Sequence, residues 1–134
     1  MVVEESYDAW GLRPESAAFW ATRRLAALGS EGISTDAFLP AGDGTMPSLS
    51  TLISGLPEVG VHVNYQPTAK QPFPTATAPI FKRLGYRTRF FYSGYMSWQR
   101  LGDFCREQGF DEVHGGPEMS TRLSGNEWGV DDEV

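Results

Sequence analysis

The sequence predicts an α/β fold built around a mainly parallel sheet. Segments with the composition of strands alternate with segments of helical spacing along the 134 residues, and this alternation is typical of βαβ units. Apolar residues make up 40% of the chain, which at this length is sufficient for the core of one domain. We therefore expect at most one folded domain.

The first quarter of the chain predicts a strand followed by a helix. Residues 1–4 have the composition of a short strand, which ends at Glu5. Pro14 is placed to lie in the first turn of the helix, and Gly29 or Gly32 is placed to end it. Its apolar face is predicted by the helical spacing of Ala18, Ala21, Leu25 and Leu28.

A second extended segment and a short helix come next. Residues 33–39 read as extended and lead into a glycine-rich turn at residues 42–44. The helix after this turn ends at Gly55 and Pro57. Its predicted buried side carries Leu49, Leu52 and Ile53. Residues 58–74 contain three prolines and no clear period, which predicts a long loop of the kind that is often functional.

The last part of the chain predicts a helix, a strand, a second helix and a second strand. The first of these helices has Pro79 in its first turn, where proline is tolerated, and ends at Gly85. Residues 86–92 form a strand, and residues 110–114 form the last strand after Gly109 has ended the second helix. The apolar stripe of that helix consists of Trp98, Leu101 and Cys105.

Composition excludes several classes of protein and site. The net charge of −6 disfavours nucleic acid or an anionic membrane surface as the main partner. The single cysteine excludes an intrachain disulfide framework and a zinc–cysteine cluster. No apolar run approaches the roughly 20 residues that span a bilayer. The chain begins inside a predicted strand and ends where residues 128–134 resemble the start of a helix, so we expect a fragment of a longer domain.

Residues whose side chains could take part in catalysis or binding follow three of the predicted extended segments. Glu5 follows the first strand, Thr45 follows the second extended segment, and Trp98 and Arg100 lie beyond the strand at residues 86–92. Ligands of open α/β sheets bind beyond the carboxyl ends of the strands. We therefore expect these side chains to converge on one site.

Thr45 has two interpretations. It lies at the mouth of a helix, where unpaired N–H groups and the helix dipole favour an anion. Taken by itself, the residue is more simply explained as the helix N-cap. Alternatively, a divalent metal or the dipole activates its hydroxyl as a nucleophile. Glu5 is in turn either a ligand for a hard cation such as Mg²⁺ or Mn²⁺ or an exposed acid at a strand end.

The remaining candidates also have a structural alternative. Trp98 and Arg100 form either the wall of a substrate site, in which the guanidinium binds phosphate oxygens, or a core tryptophan beside an exposed arginine. Cys105 is expected to pack inside the protein. His62 and His114 lack the spacing of metal ligands and are expected to be structural or surface residues.

Several short motifs occur in order along nearly the whole chain. They are Val3-Glu4-Glu5-Ser6, Gly44-Thr45, Gly55-Leu56-Pro57, Leu84-Gly85-Tyr86, Ser97-Trp98-Gln99-Arg100, Gly109-Phe110-Asp111-Glu112 and Trp128-Gly129-Val130. This ordered set resembles the sulfatase-like branch of the alkaline phosphatase superfamily. Within that branch it is most similar to phosphoglycerol transferases of the lipoteichoic acid synthase type.

The resemblance implies a three-layer α/β/α fold, in which residues 1–134 form the N-terminal portion of a single catalytic domain. It implies that Glu5 binds a divalent metal, usually manganese with magnesium or zinc as alternatives. Thr45 would be both a ligand of this metal and the nucleophile that carries glycerophosphate. Trp98 and Arg100 would hold the phosphoglycerol headgroup of a lipid or glycan substrate.

Two departures refine this expectation. True sulfatases carry Cys-x-Pro-Ser-Arg, whereas this chain has Thr45-Met46-Pro47-Ser48-Leu49, and an unmodified threonine fits phosphoryl transfer better than sulfate ester hydrolysis. The aspartate–histidine pair that completes the family's metal site lies far downstream and has no counterpart here. We therefore expect the isolated chain to be inactive.

The sequence thus predicts metal-dependent phosphoglycerol transfer through Thr45 in the complete protein. Phosphodiester hydrolysis, phosphoethanolamine transfer and a non-catalytic α/β module that binds an anion at the helix mouth are the alternatives. The resemblance also implies a membrane anchor outside this chain. It places the catalytic domain in the cell envelope, on the extracytoplasmic side of the cytoplasmic membrane.

Overall fold

The structure is a computed structural model that describes residues 1, 3, 9–33, 35 and 43–119. The chain divides into two compact units, Met1–Leu39 and Pro40–Val134. The predicted strand at residues 1–4 and the predicted extended segment at residues 33–39 lie largely outside the described residues. No helix within the described ranges has the length and apolar composition needed to cross a membrane.

In the first unit, helix α1 covers Phe19–Glu31, so the prediction of a helix that starts at Pro14 is wrong. The residues before α1 form successive turns instead. The backbone N–H of Ser16 donates to the carbonyl oxygen of Arg13 at 2.9 Å. The Ser16 hydroxyl in turn accepts a hydrogen bond from the N–H of Ala18 at 3.1 Å. Such a local side-chain bond competes with helical hydrogen bonding, which delays the helix.

A 3-10 turn at Ala9–Leu12 packs against α1. The Thr22 hydroxyl of α1 donates to the carbonyl oxygen of Gly11, and Gly11 is buried. Leu25 and Leu28, which belong to the predicted apolar face of this helix, are exposed. The spacing therefore predicted the helix correctly without predicting burial of that face.

The second unit contains a parallel βαβ motif. Strand β1, Arg89–Tyr92, pairs in parallel with strand β2, Glu112–Gly115, so that Phe90 lies opposite Val113. Helix α4, Leu101–Glu107, connects the two strands. This arrangement confirms the predicted α/β fold with parallel strands, although β1 begins three positions later than the predicted start at residue 86.

The other helices and turns of this unit surround that motif. They are α2 at Thr45–Ser54, α3 at Thr77–Arg83, α5 at Gly116–Met119, and 3-10 turns at Val63–Tyr65, Pro67–Lys70 and Trp98–Arg100. Pro79 lies in the first turn of α3 as predicted. Gly85 and Gly109 follow α3 and α4 with positive φ angles, which agrees with their predicted role of ending those helices.

One hydrophobic cluster joins α2, α4 and β2. Its buried members are Met46, Leu49, Ile53, Ala69, Leu101, Phe104, Cys105 and Val113. The predicted burial of Leu49, Ile53, Leu101 and Cys105 is therefore confirmed. Burying a large apolar side chain stabilises a fold by about 1.5–3 kcal/mol, so this cluster is the main source of stability in the second unit.

The segment at residues 58–74 is more ordered than the predicted long loop, since it contains two 3-10 turns. The fully buried side chain of Gln108 fixes it. Its amide nitrogen donates to the carbonyl oxygens of Ala69 at 2.7 Å and Gln71 at 3.2 Å. Its amide oxygen accepts from the N–H of Phe73 at 2.9 Å. One side chain of α4 therefore satisfies three backbone groups of this segment.

Helix α2 ends at Gly55 because the chain turns sharply there and packs on residues 75–77. Gly55 has a φ of 71°, which favours glycine. The Thr75 hydroxyl donates to the carbonyl oxygen of Ser54 at 2.7 Å, and the Thr77 hydroxyl donates to that of Leu52. These bonds satisfy carbonyl groups that the end of a helix leaves unpaired.

A charged cross-link holds the start of β1 to the start of β2. The Asp111 carboxylate contacts the Lys82 ammonium at 2.7 Å and accepts hydrogen bonds from the Thr88 N–H at 2.8 Å and the Thr88 hydroxyl at 2.9 Å. The hydrogen bond from Lys82, followed by those from Thr88, lowers the pKa of Asp111 to about 2.

Substitution of Gly55 tests the close approach at the end of α2. A Cβ atom at this position would lie 2.5 Å from the carbonyl oxygen of Thr75, whereas a Cβ at Gly85, whose φ is 87°, would meet nothing within 4 Å. We expect Gly85→Ala to lower the free energy of unfolding by about 1–2 kcal/mol through the left-handed backbone alone. Gly55→Ala should cost at least about 1 kcal/mol more. Equal losses in urea denaturation would contradict the predicted collision.

Substitution of Asp111 tests the charged cross-link. Because its pKa is lowered from 3.8 to about 2 in the folded protein, the stabilisation is present above the unfolded pKa and disappears as the pH falls through the folded pKa. Asp111→Asn should therefore flatten the pH dependence of the melting temperature between about pH 4 and pH 2. An unchanged pH dependence would show that the carboxylate does not contribute.

Candidate active site

The loop that follows β1 lies against the end of β2 and the start of α5 at the carboxyl edge of the parallel pair. The N–H of Gly116 donates to the carbonyl oxygen of Gly94 at 3.0 Å. A Cβ atom at Gly115, the last residue of β2, would lie 3.0 Å from the side chain of Met96, so there is little room for a side chain at this position. The Trp98–Arg100 turn belongs to the loop after β1, at the edge where open α/β sheets bind ligands.

Thr45 is the first residue of α2, and Gly44 occupies the N-cap position. Gly44 has a φ of 114° and a ψ of −179°, a backbone conformation that is essentially restricted to glycine. No side chain caps this helix end. The interpretation of Thr45 as the helix N-cap is therefore wrong, because a glycine with this conformation already occupies that position.

The hydroxyl of Thr45 forms no hydrogen bond with any residue that the structure describes, and the side chain is half-buried. The nearby hydroxyl of Ser48 is occupied, since it donates to the carbonyl oxygen of Gly44 at 2.8 Å. Pro47 has no N–H, so Thr45 and Met46 carry the N–H donors of the first turn that have no partner within the helix. Thr45 thus combines an unpaired hydroxyl with the positive end of the helix dipole.

Trp98 lies against the end of β1. Its ring stacks on that of Tyr92 with the centroids 6.0 Å apart and the planes 27° apart. The side chain is half-buried and packs against the hydrophobic cluster. A half-buried ring is compatible with the predicted contact between Trp98 and substrate, which stays a prediction.

Arg100 is held by two acceptors on different elements. Its Nη1 donates to the carbonyl oxygen of Asn64, and its Nη2 donates to Oε1 of Glu107 at 3.0 Å. Oδ2 of Asp103 lies 4.0 Å from Nε, and the arginine side chain remains 32% exposed. Since a guanidinium has further N–H donors, Arg100 is fixed in orientation and still has donors for an anion. Its predicted role in substrate binding stays a prediction.

Within the second unit, the start of α2 and the Trp98–Arg100 turn pack on the same hydrophobic cluster. Met46, which follows Thr45, is buried in the hydrophobic cluster against which Trp98 packs. The 3-10 turn Val63–Tyr65 contacts both α2 and the Trp98–Arg100 turn. Glu5 lies outside the described residues, so its predicted pairing with Thr45 through a metal stays a prediction.

Of the two predicted metal ligands, Thr45 lies within the described residues and Glu5 lies outside them. Within them, no group of three or more histidine, cysteine, aspartate or glutamate side chains is arranged to hold a metal ion. The unpaired hydroxyl of Thr45 is compatible with one ligand position, and the predicted carboxylate ligand is Glu5. The described residues therefore fit the role of Thr45 as one ligand and do not form a complete coordination shell.

Cys105 is a core residue, and the two histidines contact neighbouring side chains. Burial raises the pKa of the Cys105 thiol to about 12, so this residue is almost entirely protonated at neutral pH and is a poor nucleophile. His114 stacks on Phe91 with a centroid distance of 5.2 Å. The exposed His62 lies 3.3 Å from the Glu58 carboxylate. Thr45 is therefore a better nucleophile candidate than Cys105.

Asn64 and Glu107, the two residues that accept hydrogen bonds from Arg100, are not identified as candidate site residues by the sequence analysis. Asn64 lies in a segment with no periodicity, so nothing in the sequence connects it with residue 100. Glu107 lies seven residues after Arg100, a spacing that places side chains on one helix face. That spacing was the available signal for the Arg100–Glu107 pair.

Comparison with known proteins identifies both family and fold. The model of the sulfatase family matches residues 1–133. Among solved structures, the chain is similar to a protein in the alkaline phosphatase superfamily from Vibrio parahaemolyticus, with 24% sequence identity and a TM-score of 0.56. This match covers 63% of the chain and 21% of that protein. No curated protein matches the chain. The structural match confirms the predicted fold class.

Alkylation tests the assignment of Cys105 as an inert core residue. With its thiol pKa raised to about 12, folded protein should react with iodoacetamide at least about a hundredfold more slowly than urea-unfolded protein. Mass spectrometry of the peptide that contains Cys105 measures both rates. Similar rates in the two states would contradict the burial of this thiol and restore it as a nucleophile candidate.

Proposed function

The chain belongs to the sulfatase family, and from this premise we propose that the complete protein is a metal-dependent phosphoglycerol transferase with Thr45 as its nucleophile. Members of the alkaline phosphatase superfamily are typically hydrolases or transferases and generally use divalent metals. The finer assignment to phosphoglycerol transfer is supported by the threonine at the nucleophile position and by the motif Ser97-Trp98-Gln99-Arg100.

The observation that carries the proposal is the unpaired hydroxyl of Thr45 at the start of α2. The hydroxyl has no hydrogen-bond partner among the described residues, and the N-cap residue before it, Gly44, has no side chain. The positive end of the helix dipole favours both the developing alkoxide and the phosphate oxygens. A bound divalent metal would lower the pKa of the hydroxyl further, and Thr45 and Glu5 are the residues proposed to hold it.

The proposed reaction has two balanced steps. In the first, Thr45 Oγ1 loses its proton to a base and forms a bond to phosphorus, while the ester bond to the donor alcohol breaks and that alcohol takes up a proton. In the second, an acceptor alcohol loses its proton and attacks phosphorus. The bond to Thr45 then breaks, and Oγ1 is protonated again.

Trp98 and Arg100 are the proposed substrate contacts. Arg100 would donate to the phosphate oxygens with the N–H groups that Asn64 and Glu107 leave free. Trp98 would offer its ring to the glycerol moiety. We propose manganese as the metal, with magnesium or zinc as alternatives. The expected substrate is a phosphoglycerol-bearing lipid or glycan on the extracytoplasmic side of the cytoplasmic membrane, where an anchor elsewhere in the complete protein would hold the enzyme.

The covalent intermediate gives a direct test. Incubation of the complete protein with a phosphoglycerol lipid donor should produce a glycerophosphate adduct on Thr45, detected by mass spectrometry of the intact protein and its peptides. Thr45→Ala should abolish the adduct and reduce turnover by at least about a thousandfold, because the nucleophile is lost.

Thr51→Ala is the matched control, because Thr51 lies on the same helix with its hydroxyl already bonded to the carbonyl oxygen of Pro47 at 3.2 Å. It should retain adduct formation within about twofold, since a bonded helix hydroxyl contributes little. An adduct that persists in Thr45→Ala would remove Thr45 from the mechanism. Decay of the adduct only to free glycerol phosphate in the presence of acceptor would assign hydrolysis instead of transfer.

A further inference from the structure

Asn64 forms a two-way connection with the Trp98–Arg100 turn. Its side-chain nitrogen donates to the carbonyl oxygen of Gln99 at 2.6 Å. The backbone carbonyl oxygen of Asn64 accepts the hydrogen bond from Nη1 of Arg100. Asn64 is only 1% exposed, so its own amide and backbone groups are shielded from water. The connection spans more than thirty positions of sequence and joins the 3-10 turn Val63–Tyr65 to the carboxyl edge of the sheet.

The turn that Asn64 contacts has an unfavourable backbone conformation. Gln99 has a φ of 44° and Arg100 a φ of 58°, which places two consecutive non-glycine residues in the left-handed region. No other described non-glycine residue has a positive φ. Such conformations persist where the surrounding structure holds them, and they concentrate at functional sites. The Asn64 amide bonds the peptide unit between these two residues and is therefore placed to hold it.

This backbone conformation determines where the flanking side chains lie. Trp98 precedes the strained pair and packs on Tyr92, while Arg100 is its second member and reaches Asn64 and Glu107. A turn that relaxed to right-handed angles would move the Arg100 side chain away from both acceptors. The guanidinium would then lose the fixed orientation that bidentate binding of phosphate requires.

We infer that Asn64 is a positioning residue that orients Arg100, and with it Trp98, toward the phosphoglycerol headgroup. The inference rests on the proposed function, because it assigns the substrate contact to Arg100. Asn64 itself does not touch substrate. It acts by holding the left-handed Gln99–Arg100 turn, so its loss should weaken substrate binding and leave the nucleophile at Thr45 unaffected.

The test combines Asn64→Ala with a second substitution that removes the need for the bond. In the complete protein, Asn64→Ala should raise the KM for the phosphoglycerol donor about tenfold and change kcat by less than about twofold. Adding Gln99→Gly should restore most of the KM, because glycine adopts a positive φ without strain. A residue that only supported folding would not be rescued in this way.

Gln108→Ala provides the matched control. It also removes a buried amide that holds the segment at residues 58–74, but the hydrogen bonds of this amide go to residues 69–73 and not to the Gln99–Arg100 turn. Gln99→Gly should therefore fail to rescue any defect of Gln108→Ala. An unchanged KM in Asn64→Ala, or a raised KM that Gln99→Gly leaves uncorrected, would overturn the inference.

Hydrogen exchange gives a readout that does not depend on activity. Deuterium uptake of the peptide containing residues 97–102 should rise in Asn64→Ala and return toward the wild-type rate in the double variant. Unchanged uptake in Asn64→Ala would overturn the inference even if Thr45 proved to be the nucleophile. If the wild-type protein turned over no phosphoglycerol donor, the proposed function would fail instead, and the exchange data would still decide whether Asn64 holds the turn.

Discussion

The buried face of α4 supports most of the described structure in the second unit. Leu101, Phe104 and Cys105 are completely buried in the cluster that α4 shares with α2 and β2. At about 1.5–3 kcal/mol for each large apolar side chain, this packing outweighs the surface ion pairs, which contribute about 0–1 kcal/mol each. Both elements of the candidate site depend on it, because Met46 anchors the start of α2 and Trp98 packs on the same cluster.

Buried amides then fix the irregular segments that the apolar cluster leaves undetermined. Gln108 satisfies three backbone groups of residues 69–73, and Asn64 holds the left-handed turn at Gln99. Removing Gln108 would leave the buried carbonyl oxygen of Ala69 without this partner, at a cost of about 1–3 kcal/mol. Removing the Asn64 side chain would break the hydrogen bond to the carbonyl oxygen of Gln99. The apolar packing thus determines where the helices lie. Gln108 then fixes the shape of residues 69–73, and Asn64 fixes the turn at the carboxyl edge of the sheet.

The sequence predicted those parts of the fold that depend on local pattern. Helical spacing identified the buried faces of α2 and α4, and glycine and proline identified the ends of α2 and α3. The sequence did not predict the structure where a side chain forms hydrogen bonds with backbone groups, whether these are neighbouring or distant in the chain. Ser16 delayed α1 by bonding Ala18, and Gln108 ordered the segment that was predicted to be an irregular loop.

In the candidate site, too, local sequence pattern predicted some features and missed others. The position of Thr45 at a helix mouth followed from the glycine turn. That Gly44 occupies the N-cap position, and that the Thr45 hydroxyl has no hydrogen-bond partner among the described residues, required the structure. The Asn64–Arg100 bond had no sequence signal because it joins residues with no common periodicity.

We propose that Thr45 is the metal-activated nucleophile, and crystals of the complete protein grown with Mn²⁺ and measured at the manganese absorption edge test this role most directly. One anomalous peak should lie within about 2.0–2.6 Å of both Thr45 Oγ1 and the Glu5 carboxylate. A peak remote from Thr45, or a Glu5 carboxylate too far from the hydroxyl to share an ion with it, would contradict it.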